Sequence, residues 1–185
     1  MNIVVFSVNN SGFYFKTDNT LVKGSKDFFV PDIVERLYVS PSFVAKINKS
    51  AKCVSSNYAE RYYNETGVGC VLYPLNLIES SSLLTSGIAL SLDYSAYTSE
   101  NFMDKHKLSG DIVFKFGGNQ FDFPTGAGDD ILRKVNLAIE RITRYCTLKS
   151  GDLIFIELGK MNEISISEEI SIIYAELPPL SFFIR

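Results

Sequence analysis

Few residues of this chain could carry acid–base chemistry at a fixed spacing. The single histidine, His106, lies in the polar run Asp104-Lys105-His106-Lys107, where neighbouring lysines disfavour the charged imidazole and no fixed partner is visible. The acidic pairs Asp129-Asp130 and Glu168-Glu169 are adjacent in sequence. Adjacent side chains do not share a face of a helix or strand, so we expect both pairs, like His106, to be solvated.

Motifs of the common nucleophilic, nucleotide-dependent and zinc enzymes are missing from the sequence. It contains no G-x-S-x-G elbow, no P-loop, no G-x-G-x-x-G fingerprint and no H-E-x-x-H pair. Its three cysteines, Cys53, Cys70 and Cys146, are widely spaced among apolar or aromatic neighbours, unlike a zinc site or a disulfide framework. We expect all three to be reduced residues that serve packing.

The composition is that of one globular domain, residues 1–185, with 46% hydrophobic and 21% charged residues. The formal net charge is −3 and the basic residues are scattered, which argues against binding to nucleic acid or to an anionic membrane. The first apolar run, residues 3–6, has no basic leader and is too short to span a bilayer or to act as a signal sequence. We therefore expect a cytoplasmic protein.

The elements that would position a site are mostly strands. Short runs rich in Val, Ile, Phe and Tyr, bounded by Gly, Asn, Asp and Pro, predict an α+β, strand-rich fold. An apolar stripe at helical spacing predicts a long helix over 130–146, and cap candidates predict a shorter one within 55–64. Alternation around Gly117-Gly118 predicts a tight hairpin over 114–123. Further strands are predicted near 2–8, 42–48, 67–73, 86–93, 152–158, 170–176 and 180–184.

The order of these elements resembles the fumarylacetoacetate hydrolase family from the first strand almost to the last residue. The segments that carry the resemblance are Asp27–Asp32 with Val44–Ile47, Tyr58–Gly69, the Gly117–Gln120 hairpin, the long helix, and Leu148–Ile154. Each is common by itself, but all of them in the right order are hard to obtain by chance. The resemblance implies a mixed β-roll with one long and one short helix. It also implies a homodimer; the alternative, if the chain is inactive, is a heteromer with an active relative.

The metal site of the family is where this sequence departs most from its relatives. Enzymes of the family hold Mg²⁺ or Mn²⁺ with two glutamates of an E-x-E strand and an aspartate on the next strand, because a hard dication needs charged oxygen ligands. Aligning the flanking residues places Ser40 and Ser42 at the glutamates and Val71 at the aspartate. Two hydroxyls and an isopropyl group supply no negative charge. The resemblance therefore implies a non-catalytic relative, a pseudoenzyme without a metal or other cofactor.

Other family positions are changed as well, and a few remain. The K-G-F-D segment reads Leu90-Ser91-Leu92-Asp93, the G-T-P turn reads Glu157-Leu158-Gly159, and the shortened segment after Asn10 has no histidine. Asn10, Lys16 and Asp93 remain as candidate pocket residues. Lys16 matches a family lysine near the substrate; it could attract an anionic ligand or be a surface lysine at a strand end.

Two other functions stay open beside a pseudoenzyme with a binding or assembly role. A family enzyme, acting as an acylpyruvate hydrolase, isomerase or keto-acid decarboxylase, would need substitute ligands, for which Asp93, Asn76 and Glu79 are the candidates. The third function is metal-free binding of a small organic acid through Lys16. The surroundings of the three degenerate metal positions discriminate between these hypotheses.

Overall fold

Two sheets and one long helix form the framework of the computed structural model, which describes residues 1–7, 12–79, 82–125 and 129–185. The strands of the larger sheet are β1 (Ile3–Ser7), β2 (Gly12–Lys16), β3 (Leu21–Lys23), β4 (Leu37–Ile47), β5 (Tyr63–Pro74), β6 (Ala96–Thr98), β7 (Met103–Asp104), β10 (Leu153–Glu157) and β11 (Asn162–Ile164). Their main order is β2-β1-β10-β4-β5-β6-β3, with β11 beside β4 and β7 beside β5. The sheet is mixed, because β1 runs parallel to β10 and β3 parallel to β6.

The smaller sheet is antiparallel and contains the hairpin predicted from the sequence. Its strands are β8 (Asp111–Phe116), β9 (Asn119–Pro124), β12 (Glu169–Tyr174) and β13 (Leu180–Phe183), in the order β13-β12-β8-β9. Gly117 and Gly118 have φ of 52° and 75° and connect β8 to β9. Both values lie in the left-handed region that two-residue hairpin turns of type I′ require, which explains the glycine pair.

The helices are α1 (Ser56–Ala59), α2 (Leu75–Glu79), α3 (Leu83–Leu90) and α4 (Asp129–Tyr145). The prediction of a long helix over 130–146 is confirmed by α4. The shorter helix within 55–64 is confirmed in part, because α1 continues as a 3-10 turn, Glu60–Tyr62, and β5 begins at Tyr63. No helix among the described residues is both long and apolar enough to cross a membrane.

The predictions of a strand over 86–93 and of only one long and one short helix are wrong. The apolar residues of this segment form α3 instead, and α2 precedes it. A short apolar run is compatible with a strand or a helix, and here an N-cap favours the helix. Ser82 accepts a hydrogen bond from the backbone N–H of Leu84 and so starts a helix, on which Leu83, Leu84 and Ile88 remain exposed.

The main core lies between one face of the larger sheet, α4 and the smaller sheet. Phe43 of the larger sheet, Val135 of α4 and Phe114 of the smaller sheet are completely buried in it. Tyr97 of β6 stacks on Phe182 of β13 with ring centroids 3.7 Å apart, which joins the two sheets directly. The opposite face of the larger sheet carries a second, smaller apolar cluster, and the candidate site lies there.

All three cysteines are free, but the expectation that each serves packing is wrong for one of them. Cys70 of β5 is buried and Cys146, directly after α4, is partly buried. Cys53 lies in the loop before α1 and is exposed. Apolar neighbours along the sequence did not distinguish a loop that crosses the surface from a buried strand.

The hairpin turn offers a test of the backbone argument. We expect Gly118→Ala to lower the free energy of unfolding by about 1 kcal/mol, because an added Cβ meets no atom within 4 Å and only the positive φ is penalised. Gly87→Ala is the matched control, since its Cβ also meets open space but the residue is helical, and a gain of about 0.5–1 kcal/mol is expected. Urea unfolding of both variants measures the difference; changes of the same sign would contradict the account.

Candidate functional site

The structure brings together, on one face of the larger sheet, the three residues that the resemblance aligns with the metal ligands, Ser40, Ser42 and Val71. Ser40 and Ser42 lie two residues apart on β4, so both side chains point to the same face. Val71 of β5 is the register partner of Ser40, and Gly69 is the partner of Ser42. All three side chains are completely buried. Ser40, Ser42 and Val71 therefore form one spatial cluster on this face.

The side chain of Tyr73 lies across this cluster. Tyr73 follows Val71 by two residues on β5 and so points to the same face. Its hydroxyl donates a hydrogen bond of 2.6 Å to Oε1 of Glu157, the residue of β10 that pairs with Ser42. Because β4 lies between β5 and β10, the Tyr73 side chain passes over β4 on the face that carries both serines.

A second tyrosine extends the hydrogen-bond chain to the edge of the sheet. The hydroxyl of Tyr14 on β2 donates to the hydroxyl of Tyr73, which in turn donates to Glu157. Burial raises the pKa of Tyr73 well above its ordinary value, and burial likewise raises the pKa of Tyr14. Both phenols therefore keep their protons, and the chain of three polar groups joins strands β2, β5 and β10.

The rest of the lining is apolar. Completely or nearly completely buried side chains from five strands surround the polar chain, namely Ile3, Val5, Val44, Val71, Ala96, Leu153 and Phe155. The Ser40 hydroxyl has no hydrogen-bond partner within the described part of the chain, and the Ser42 hydroxyl reaches only the Ser40 carbonyl, at 3.5 Å. Glu157 is the carboxylate that pairs across the sheet with this cluster.

This donor set does not fit the divalent cation of the family. Such an ion needs several charged or carbonyl oxygens around one point. Residues 1–7, 12–79, 82–125 and 129–185 contain no group of three or more His, Cys, Asp or Glu side chains that could hold a metal ion. The oxygen donors here are two serine hydroxyls, two protonated phenols and one carboxylate that already accepts from Tyr73.

The proposed substitute ligands lie elsewhere. Asn76 bonds the backbone of the loop before β4, donating to the Ile33 carbonyl at 3.0 Å. Glu79 forms an ion pair of 3.1 Å with Arg36 at the same loop. Asp93 is exposed in the turn before β6, where the side chain of Asn19 donates to it. The structure therefore does not gather Asn76, Glu79 and Asp93 into one site.

Lys16 is a buried lysine at the far end of the same face. It pairs with Ile3, which pairs with Leu153, whereas Ser42 pairs with Glu157, four residues further along β10. Lys16 therefore lies roughly 13 Å along the strand direction from the serines. The residue is only 3% exposed, and no ion pair of its Nζ is found among the described residues. Burial lowers the pKa of Lys16 to about 8.

One pocket candidate lies outside the described residues, and three site residues were missed by the sequence analysis. Asn10 lies outside the described residues. Tyr14, Tyr73 and Glu157 were missed as site residues, although strand periodicity carried a signal for one of them. A residue two positions after Val71 on a strand has to share its face, which identifies Tyr73. Tyr14 has no comparable signal, and Glu157 was named only as part of a changed family turn, because the contacts of both residues depend on which strands are neighbours.

Comparisons with known proteins agree with this fold. No sequence-family model matches the chain, and a comparison with curated proteins finds no match. Solved structures do match. Fumarylpyruvate hydrolase from Pseudomonas aeruginosa, in complex with Mn²⁺ and pyruvate, superposes with a TM-score of 0.80 at 16% identity, covering 100% of this chain and 89% of that one.

Two further solved structures give the same result. A protein from Yersinia pestis CO92 assigned to the fumarylacetoacetate hydrolase family has a TM-score of 0.82 at 16% identity, covering 100% of this chain and 92% of that one. 2-Hydroxyhepta-2,4-diene-1,7-dioate isomerase from Mycobacterium marinum has a TM-score of 0.83 at 15% identity, covering 99% of this chain and 73% of that one. The predicted α+β, strand-rich fold of the fumarylacetoacetate hydrolase family is thus confirmed.

Proposed function

We propose that this chain is a non-catalytic member of the fumarylacetoacetate hydrolase family, a pseudoenzyme whose fold serves binding or assembly. One observation carries the proposal. The Tyr73 side chain crosses β4 to reach Glu157, on the face where Ser40 and Ser42 replace the glutamates expected from the resemblance. The phenol ring supports the proposal, because it covers the positions that the resemblance aligns with the metal ligands.

Electrostatics supports the same conclusion. A divalent cation binds a protein where charged or carbonyl oxygens replace part of its water, and the serine hydroxyls are neutral. Glu157 supplies one negative charge, but its Oε1 accepts a short hydrogen bond from a phenol that burial keeps protonated. A cation at this place would have to displace Tyr73 and would still meet a single carboxylate. The free energy needed to dehydrate the cation would exceed the interaction energy that this site offers.

The proposal predicts that calorimetric titration with Mn²⁺ or Mg²⁺ gives no saturable heat at micromolar to low millimolar ion. It further predicts no hydrolysis of fumarylpyruvate in the presence of Mn²⁺. The Pseudomonas aeruginosa hydrolase, whose structure holds Mn²⁺, is the positive control for both assays. A micromolar dissociation constant that is lost in Glu157→Gln would overturn the proposal, because it would place a cation at this face.

The competing proposal, a family enzyme with substitute ligands, has a different signature. Turnover of an acylpyruvate that is abolished by Asp93→Ala would establish it, since Asp93 is exposed and its replacement should not affect folding. The assembly role proposed here, as a homodimer or with an active relative, predicts a solution molar mass above that of one chain. Light scattering after gel filtration measures it.

A further inference from the structure

We propose that a basic depression beside α1 binds a small phosphate monoester. The depression has a volume of about 320 Å³ and is lined by Lys52, Cys53, Val54, Ser55, Tyr58, Arg61 and Tyr62. Lys49 adds a third cation beside it, because its Nζ lies 4.7 Å from the centroid of the Tyr62 ring. Val54 and Tyr62 pack against the main core, so the depression lies away from the apolar cluster that carries the candidate site. The inference therefore depends neither on the family nor on the loss of activity.

The fold gathers three basic side chains that are spread along the sequence, and neutral groups hold each of them. The Lys52 ammonium donates to the Tyr145 carbonyl at 3.1 Å, and the Arg61 guanidinium lies over the Tyr58 ring, 5.1 Å from its centroid. Lys49 lies over an aromatic ring in the same way. A carbonyl or an aromatic face orients a cation without cancelling its charge. None of the three cations forms an ion pair with a carboxylate in the described part of the chain.

The carboxylates of the neighbouring elements are engaged elsewhere. No aspartate or glutamate is among the described residues that line the depression. Glu60 lies next to Arg61 in the sequence, but its Oε1 is 3.6 Å from the Nζ of Lys105. Glu140 of α4 accepts from the backbone N–H of Ser56 at 2.8 Å and from the guanidinium of Arg144. The positive charge of the depression is therefore left for a ligand, although the chain as a whole has a net charge of −3.

The loop that carries this charge is fastened to the framework. Ala51 and Leu148 exchange two backbone hydrogen bonds of 3.0 Å each. The backbone N–H of Cys53 donates to the Thr143 carbonyl at 3.0 Å, and the N–H of Val54 donates to the Thr143 hydroxyl at 3.0 Å. A ligand therefore meets a loop that is already ordered, so little conformational entropy is lost on binding.

The chemistry of the lining favours a phosphate monoester over other anions. The second pKa of such an ester is about 6, so at pH 8 it is a dianion with three acceptor oxygens. Arg61 can donate parallel hydrogen bonds to two of these oxygens, while Lys52 and Lys49 supply compact charges. The Ser55 hydroxyl makes no cap hydrogen bond with α1, and the Tyr58 ring, 57% exposed, offers an apolar surface to the organic group. A monoanion would compensate less of the positive charge and should bind more weakly.

Titration with phenyl phosphate, followed in amide correlation spectra of the labelled full-length protein at pH 8 and low salt, tests the inference. We expect saturable shifts of the backbone amides within residues 49–62, with a dissociation constant of about 1 mM or lower. Added salt should weaken the binding, because the cations are exposed. Phenyl sulfate has nearly the same shape but a single charge, and we expect it to bind about tenfold more weakly.

Two variants and a matched control locate the site. Arg61→Gln and Lys52→Gln should each raise the dissociation constant by about tenfold, because each removes a charge-assisted donor from an exposed position. Lys23→Gln removes the same charge from edge strand β3, where Lys23 is exposed, and should change it by less than about twofold. The inference is overturned by shifts that do not saturate, by equal binding of phenyl sulfate, or by equal weakening in Lys23→Gln.

Cys53 provides an independent readout, because its exposed thiol lines the depression. Saturating phenyl phosphate should slow the alkylation of Cys53 by iodoacetamide, measured by peptide mapping at several times. Cys146 is partly exposed and is not part of the lining, so its alkylation rate should stay the same. Arg61→Gln should lose the protection at the same ligand concentration. Unchanged alkylation of Cys53 in the parent protein would contradict binding in this depression.

Discussion

Tyr73→Phe is expected to lower the free energy of unfolding by about 2–4 kcal/mol at pH 7. The substitution keeps the ring and removes a hydroxyl that donates to Glu157 and accepts from Tyr14. Tyr73 is 5% exposed, so water does not readily replace the lost partners. A carboxylate and a phenol are then left unpaired on a largely apolar face, which costs more than the hydrogen bonds themselves contribute.

Two single variants and one double variant separate this network from general effects of phenol removal. Tyr58→Phe is the matched control, because Tyr58 is 57% exposed and its loss should change stability by less than about 0.5 kcal/mol. Glu157→Gln keeps an acceptor for Tyr73 and should cost less than Tyr73→Phe. The double variant Tyr73→Phe/Glu157→Gln should lose clearly less free energy of unfolding than the sum of the losses of its two single variants, since the two residues share one hydrogen bond. Additive effects, or a Tyr73→Phe protein as stable as the parent, would show that the network does not hold the strands together.

Local patterns were sufficient to predict the elements whose structure depends on nearby residues. The apolar stripe of α4 and the Gly117-Gly118 turn were both predicted, because helix periodicity and positive φ are properties of a few consecutive residues. The α3 segment was predicted wrongly as a strand, because an apolar run this short is compatible with the period of a strand and with that of a helix. The Ser82 cap favours the helix through one hydrogen bond, and it lies before the run 86–93 that was predicted as a strand.

The site was predictable only as far as single strands could be aligned. Ser40, Ser42 and Val71 meet because two long neighbouring strands pair over almost their whole length. The Tyr14, Tyr73 and Glu157 chain joins three strands that are far apart in sequence, and its geometry depends on the strand order β2-β1-β10-β4-β5. No sequence pattern specifies that order. The burial of Lys16 was missed for a related reason, since a lysine at a strand end usually reaches water.

Lys16→Met is expected to raise the free energy of unfolding at pH 7 by roughly 2–4 kcal/mol. The Lys16 ammonium is almost fully buried, and burial lowers its pKa from 10.5 to about 8. This pKa shift measures how much the buried ammonium destabilises the folded protein relative to the unfolded chain, where water solvates the charge. Methionine has a similar length and no charge, so it fills the same space without that cost.

The pH dependence gives the sign of the effect independently. Between pH 8 and 10.5 the unfolded chain holds a proton on Lys16 that the folded chain has released, so stability relative to Lys16→Met rises with pH in this window. Below about pH 8 both states are protonated and the penalty is full and constant. The advantage of Lys16→Met should therefore disappear by about pH 10.5. The free energy of unfolding of the parent protein is subtracted from that of Lys16→Met at each pH. This difference cancels the contributions of the buried tyrosines, which both proteins share.

Lys105→Met is the matched control, because the same substitution should act in the opposite direction. Lys105 is 6% exposed, but its ammonium donates to the carbonyls of Glu60 and Tyr63 at 2.6 and 2.9 Å. Removing the ammonium leaves the buried carbonyl of Tyr63 and the partly buried carbonyl of Glu60 without this donor, and a loss of about 2 kcal/mol is expected across the pH range tested. Urea unfolding from pH 6 to 10.5 measures all three proteins. If Lys16→Met is destabilising at pH 7, Lys16 has an acceptor in solution and the unpaired-charge account is wrong.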